Sequence, residues 1–141
     1  MNIIIAADHG GFEMKQNIVK YLTERGHSVA DLGCDNADSV DYPIFARKVT
    51  DAILADSSAL GILVCGTGIG MSIAANKVAG IRAAVCGDVY SAEMTRAHNN
   101  ANILCLGARV IGGATAEAIV DKFVGTSFEG GRHEIRVGMY E

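Results

Sequence analysis

An apolar run, Leu60-Gly61-Ile62-Leu63-Val64, ends in Cys65-Gly66-Thr67-Gly68-Ile69-Gly70 and passes into Met71-Ser72-Ile73-Ala74-Ala75-Asn76-Lys77. The pattern is that of a buried strand emptying through a glycine turn into a helix, with a thiol at the exit. Gly66, Gly68 and Gly70 leave backbone N–H groups bare of side chains at a helix N-terminus, where the dipole and the unpaired donors favour negative charge. A thiol held there ionises more readily. Taken alone, Cys65 also reads as a structural cysteine closing a core strand, so its neighbours must decide. The loop is not a nucleotide fingerprint. Gly-x-Gly-x-x-Gly would need its third glycine at position 71, where Met71 stands, and no Gly-x-x-x-x-Gly-Lys-Ser/Thr run occurs. What remains suits a small anion or a developing oxyanion, with a nucleophile-sized group beside it.

Other residues carry complementary chemistry. Asp8-His9-Gly10-Gly11 offers a carboxylate and an imidazole, which read either as site residues or as a helix N-cap and a surface histidine. Tyr42, after Val40-Asp41, reads as a third wall or as a surface tyrosine. Arg109 and the pair Arg132 and Arg136, one helical turn apart, are the phosphate candidates, because guanidinium forks match phosphate oxygens; a solvated helix face is the other reading of the pair. His9, His98, His133 and Cys65 are metal-ligand types, but their spacing matches no zinc pattern, and no metal is expected.

The elements that must position these groups alternate throughout. Strand-like runs at 2–7, 27–32, 60–64, 81–86 and 102–106 are followed by helical patterns at 12–25, 43–55, 69–78, 91–97 and 114–124. Such alternation predicts an α/β fold: a three-layer α/β/α sandwich on a five-stranded parallel sheet, Rossmann-like or flavodoxin-like. In an open parallel sheet, ligands bind beyond the carboxyl ends of the strands. The loops at Asp8 and Cys65 should therefore share one edge. His98-Asn99-Asn100 ends the helix that starts from that same edge at the fourth strand, about 15 Å further along. Within one chain these residues face the wrong edge. They are either a polar helix C-cap or a contribution to the Cys65 pocket of a second subunit. The segment 126–141 breaks the alternation and reads as a polar C-terminal tail that packs on or near a partner subunit.

At 141 residues the chain suits one domain with a sizeable core; half of it is hydrophobic, with 17 glycines and one proline. A net charge of −4 without a Lys/Arg cluster argues against nucleic acid as a partner. No apolar run approaches the roughly 20 residues needed to cross a bilayer. The four cysteines, Cys34, Cys65, Cys86 and Cys105, form no Cys-x-x-Cys pair, and no signal peptide precedes them, so a reducing cytoplasm is the expected location. Cys34, Cys86 and Cys105 read as packing residues.

Asp8-His9-Gly10-Gly11, Asp41-Tyr42-Pro43, the Cys65–Gly70 loop, Ala74-Ala75-Asn76-Lys77, Gly80-Ile81-Arg82-Ala83, His98-Asn99-Asn100, Gly107-Ala108-Arg109 and Gly130-Gly131-Arg132-His133-x-x-Arg136 together resemble the type B ribose-5-phosphate isomerases over nearly the whole chain. The two subunits of galactose-6-phosphate isomerase belong to the same wider group, but one lacks the cysteine-threonine loop and the other the His-Asn-Asn turn. The resemblance implies interconversion of ribose 5-phosphate and ribulose 5-phosphate through an enediolate, with no cofactor. It implies Cys65 as the base, His98 with Thr67 in ring opening, and Asp8 holding hydroxyls. The Gly66–Gly70 N–H groups and Asn99 would stabilise the oxyanion, and His9, Arg109, Arg132 and Arg136 would grip phosphate, with His133 beside them. Relatives that use a glutamate base carry it where this chain has Ser72 and Ile73. A homodimer with shared sites follows from the edge argument, and whether dimers pair into tetramers stays open. Two alternatives remain: a hexose 6-phosphate substrate such as allose or galactose 6-phosphate, and a non-catalytic phosphosugar- or nucleotide-binding module.

Overall fold

Successive side chains of a strand point to opposite faces, and in β1 (Asn2–Ala7) both faces are apolar, with Ile3, Ile5 and Ala7 on one and Ile4 and Ala6 on the other. Such a strand must be covered on both sides. In the computed structural model, which describes residues Met1–Glu141, that cover comes from helices following each strand. β2 (Ser28–Asp31), β3 (Leu60–Cys65), β4 (Ala83–Val85) and β5 (Ile103–Gly107) alternate with α1 (Phe12–Glu24), α2 (Tyr42–Ala55), α3 (Ile69–Asn76), α4 (Val89–Ala97) and α5 (Gly113–Gly125). Ile18 and Leu22 of α1, Ala92 of α4 and Ile119, Val120 and Phe123 of α5 pack on one face. Ala46, Val49 and Ile53 of α2 and Met71 and Ala75 of α3 pack on the other, together with Cys65 and Cys105. The expected three-layer sandwich with a parallel five-stranded sheet is what the chain forms.

The strand order is β2-β1-β3-β5-β4, parallel throughout. Relative to the flavodoxin order 2-1-3-4-5, the last two strands exchange places. Burial explains the exchange: β5 is buried along its length, whereas β4 is short, partly exposed and suited to an edge. The order also creates a switch point, since β1 connects outward to β2 on one side while β3 lies on its other side. A crevice opens beyond the carboxyl ends of β1 and β3.

Most element ends shift by one or two residues from the sequence reading, and three differences have a structural cause. β4 is shorter than the run 81–86, because Ile81 is buried in the preceding turn and the Arg82 N–H donates to Asn102 Oδ1 at 2.8 Å. α4 begins at Val89, not near Ser91, because Asp88 caps it, accepting from the Ser91 N–H at 2.7 Å. The largest difference is a sixth helix, α6 (Arg132–Gly138), within the segment read as a polar tail. It lies against its own chain: the Glu129 N–H donates to Ala97 O at 3.0 Å, and Val137 and His133 are buried. Its inward face is part histidine, so its periodicity is not apolar.

Lys15 is buried to 1% exposure, its Nζ 2.6 Å from Asp31 Oδ2 and 3.0 Å from Gln16 Oε1. The other Asp31 oxygen accepts from the Gly33 N–H at 2.9 Å, so one carboxylate ties α1 to the start of the β2–α2 loop. Removing one partner of a buried pair costs ~3–5 kcal/mol, and Asp31 is about a third exposed, which offsets part of that. Asp31→Asn should therefore lower unfolding stability by about 2 kcal/mol. Lys15→Met, which removes the charge and keeps the length, should lower it less. Urea midpoints of the two variants check the ordering; a wild-type midpoint for Asp31→Asn would show the pair to be energetically idle.

Candidate active site

Gly68 adopts φ +79° as the N-cap of α3, a left-handed conformation in which glycine carries no Cβ penalty. That turn aims the head of α3 back at the end of β3. The Gly68 N–H donates to Cys65 Sγ at 3.1 Å, and the Ile69 N–H donates to Thr67 Oγ1 at 3.2 Å. Cys65 is 5% exposed, and its sulfur is held by a donor at the positive end of a helix. Thr67 is exposed at the rim. The Gly70 N–H lies in the first turn of α3, where no intrahelical acceptor is available. Gly70 itself lets Tyr42 close in, since an added Cβ would stand 2.7 Å from the Tyr42 ring.

The loop after β1 meets this one. Asp8 Oδ1 accepts from the Gly11 N–H at 3.1 Å, so the N-cap reading of Asp8 holds, and the carboxylate nevertheless sits in the crevice. Beside Gly10 lie Asp8 Oδ1, Gly66 N and the Arg109 guanidinium, which also borders Gly66. Arg109 is positioned by its own N–H donating to Gly66 O at 3.0 Å. His9 Nδ1 accepts from the Val40 N–H at 3.1 Å. Its remaining proton therefore sits on Nε2, which leaves a donor for an anion. Asp8, His9, Tyr42, Cys65, Gly66, Thr67, Gly68, Gly70 and Arg109 thus form one cluster at the switch point.

A second cluster lies at the other end of the sheet. α4 carries the chain roughly 13 Å away from the carboxyl edge, and the turn after it reaches the amino ends of β4 and β5. There Asn100 O accepts from Arg82 Nε at 2.7 Å, and Asn102 Nδ2 donates to Gly80 O at 3.0 Å. His98 is the C-cap of α4, and Asn100, two residues on, holds φ +49°, turning the chain toward β5. Asn99 is exposed, and His98 is half-buried. The His98 ring stacks on that of His133, centroids 4.1 Å apart and 7° from parallel. Burial, together with His98 and Arg132, holds the proton affinity of His133 below the ordinary histidine value. Arg132 and Arg136 lie exposed one turn apart on α6. Within one subunit the four phosphate candidates are therefore divided, with His9 and Arg109 at one edge and Arg132 and Arg136 at the other.

Sequence reasoning passed over Glu129, whose carboxylate stands between the two histidines, 3.3 Å from His133 Nε2 and 3.8 Å from His98 Nε2. A lone glutamate before a glycine pair carries no signal of that placement. The remaining thiols are buried: desolvation pushes Cys86 up to about 11, and burial, with smaller contributions from Cys65 and Cys86, pushes Cys105 higher still.

A family model described as Ribose/Galactose Isomerase matches residues 3–140. Ribose-5-phosphate isomerase B of Escherichia coli strain K12 is 49% identical over 135 residues, spanning 96% of this chain and 91% of that protein. Among solved structures, ribose-5-phosphate isomerase B of Clostridium thermocellum superposes with TM-score 0.97 at 51% identity, covering 99% of this chain and 95% of that one. Ribose-5-phosphate isomerase B of Mycoplasma genitalium, solved with bound ribulose-5-phosphate, gives TM-score 0.95 at 42% identity over 99% of this chain and 93% of that one. Matched over nearly its full length in sequence and fold, and carrying the cysteine-threonine loop and the His-Asn-Asn turn together, the chain belongs to the ribose/galactose isomerase family, alongside the type B ribose-5-phosphate isomerases.

Proposed function

We propose that this chain is an aldose–ketose isomerase that interconverts ribose 5-phosphate and ribulose 5-phosphate through an enediolate, with Cys65 as the base. The observation that carries the reading is the Cys65 thiol at the head of α3, beside a carboxylate, an imidazole and a guanidinium at the sheet's switch point. A thiolate there moves the proton between C2 and C1. The charge that builds on the substrate oxygen falls to the Gly66 and Gly70 N–H groups, which are in place before reaction, whereas those of Gly68 and Ile69 already hold Cys65 Sγ and Thr67 Oγ1. His9 and Arg109 receive phosphate. A binding module would need that anion grip but not the thiol.

The sugar arrives mostly as a ring, and the group assigned to opening it, His98, lies at the far edge together with Asn99, Arg132 and Arg136. Two copies arranged about a two-fold axis bring the far edge of each to the Cys65 crevice of the other, giving two identical shared sites. Apolar side chains support such a contact: Ile69 and Ile73 lie one turn apart and exposed on α3, and Ile135 of α6 and Met139 at its C-cap are exposed likewise. In this arrangement α6 serves both its own α4 and the partner's site. All four cysteines are free thiols, which fits a reducing cytoplasm, and no helix is long and apolar enough to cross a membrane.

Kinetics on ribose 5-phosphate, allose 6-phosphate and galactose 6-phosphate, side by side, test the substrate. The highest kcat/KM is expected for ribose 5-phosphate; a higher value for a hexose phosphate would reassign it. Arg136→Ala should chiefly raise KM, because a grip remote from the reacting carbons supplies binding energy in ground and transition states alike. If both KM and kcat keep their wild-type values, Arg136 is a solvated surface residue.

A further inference from the structure

His98, Glu129 and His133 come from three different stretches, the end of α4, the connector and the first turn of α6, yet each offers a ligand atom within 4.8 Å of the others. We propose that they form a binding site for a divalent transition-metal ion of the Zn²⁺ class, which plays no part in isomerisation and shuts it off when filled. Two imidazoles and one carboxylate, with a coordination position left open, are a known zinc donor set. The backbone preorganises them. The Glu129 N–H is fixed on Ala97 O beside His98, and the His133 N–H donates to Gly130 O at 3.1 Å.

Geometry brings the donors close to coordination distances. Around a tetrahedral ion with bonds of about 2 Å, ligand atoms stand about 3.3 Å apart. Glu129 Oε2 and His133 Nε2 are already 3.3 Å apart, and His98 Nε2 stands 3.8 Å from the same oxygen; because the two rings stack 7° from parallel, metal binding requires the half-buried His98 ring to rotate out of the stack so that both lone pairs face the ion. Arg132 and Arg136 oppose a cation, so micromolar rather than nanomolar affinity is expected.

An ion bound here occupies His98 Nε2 and removes it from ring opening. That consequence rests on the role proposed for His98, whereas the binding does not. The test titrates metal-free, full-length protein with Co²⁺, whose visible absorption reports tetrahedral protein ligation. One saturable Co²⁺ per chain, displaced by Zn²⁺, is expected. Glu129→Gln, at an exposed position that should not disturb folding, is expected to weaken binding by at least about tenfold and to keep the metal-free isomerase rate. Zn²⁺ should inhibit the native enzyme over the range in which it binds and spare Glu129→Gln. Absence of a protein-bound Co²⁺ spectrum, or unchanged affinity in Glu129→Gln, overturns the site. Equal Zn²⁺ inhibition of both proteins also overturns it and points to the Cys65 thiol as the target. Saturable binding with an undiminished rate overturns the shut-off and counts against His98 as the ring-opening group.

Discussion

Cys65→Ala should lower kcat for ribose 5-phosphate by about 10²–10⁴-fold, the loss typical of removing a general base, with little change in KM. The side chain is small and its site is otherwise held by backbone contacts, including Ala108 N–H to Cys65 O at 2.9 Å, so the variant should fold. Substrate binding comes from the guanidinium and imidazole groups around it, which the substitution leaves in place. No other thiol is placed to substitute. Cys105, on the same sheet face, is enclosed and its proton is held well above the ordinary thiol range, Cys86 belongs to the opposite core layer, and Cys34 lies outside the glycine loop with its thiol raised by burial. Cys65→Ser should be nearly as inactive, because a hydroxyl at that helix terminus does not ionise at neutral pH. Coupled assays, with exchange of the substrate C2 proton into solvent as a second readout, check both variants. Wild-type activity in Cys65→Ala, with the substitution confirmed by mass, would remove Cys65 from the mechanism.

The half of the site around Cys65 was legible because its logic is local. A strand, a glycine turn and a helix follow one another in the chain, and parallel topology alone places Asp8 and Cys65 on one edge. The position of His98 was legible from arithmetic, since a helix of known length starting at one edge must end near the other. What lay hidden depends on contacts between distant segments. Nothing local in residues 81–86 or 102–106 says which strand takes the sheet's edge; burial on both faces decides it. α6 escaped because its inward positions, His133 and Val137, include a polar residue whose burial is explained only by the ring of His98 stacked against it. Nothing in the spacing of α1 marks Lys15 as buried, because its partner Asp31 comes from β2, in another part of the chain.

Mixing two inactive variants should restore activity, which no site built within one chain allows. Cys65 ends β3 at the carboxyl edge, His98 ends α4 at the amino edge, and the sheet lies between them. If the two residues serve one reaction, they come from different subunits. Cys65→Ala and His98→Ala, each purified as an inactive protein, are dissociated, mixed in equal amounts and allowed to reassociate. About half of randomly paired dimers are then heterodimers. Two-fold symmetry gives each heterodimer one site carrying both lesions and one carrying neither, so activity should return to about a quarter of wild type. Because each separate variant sits orders of magnitude lower, the rise is large and cannot come from partial refolding of either parent. Native mass spectrometry counts the heterodimers, and the recovered rate should scale with that count. If heterodimers form while activity stays at the parental level, the sharing of sites between subunits is wrong. His98 and Asn99 would then be only the polar end of a helix, with ring opening left to the groups around Cys65.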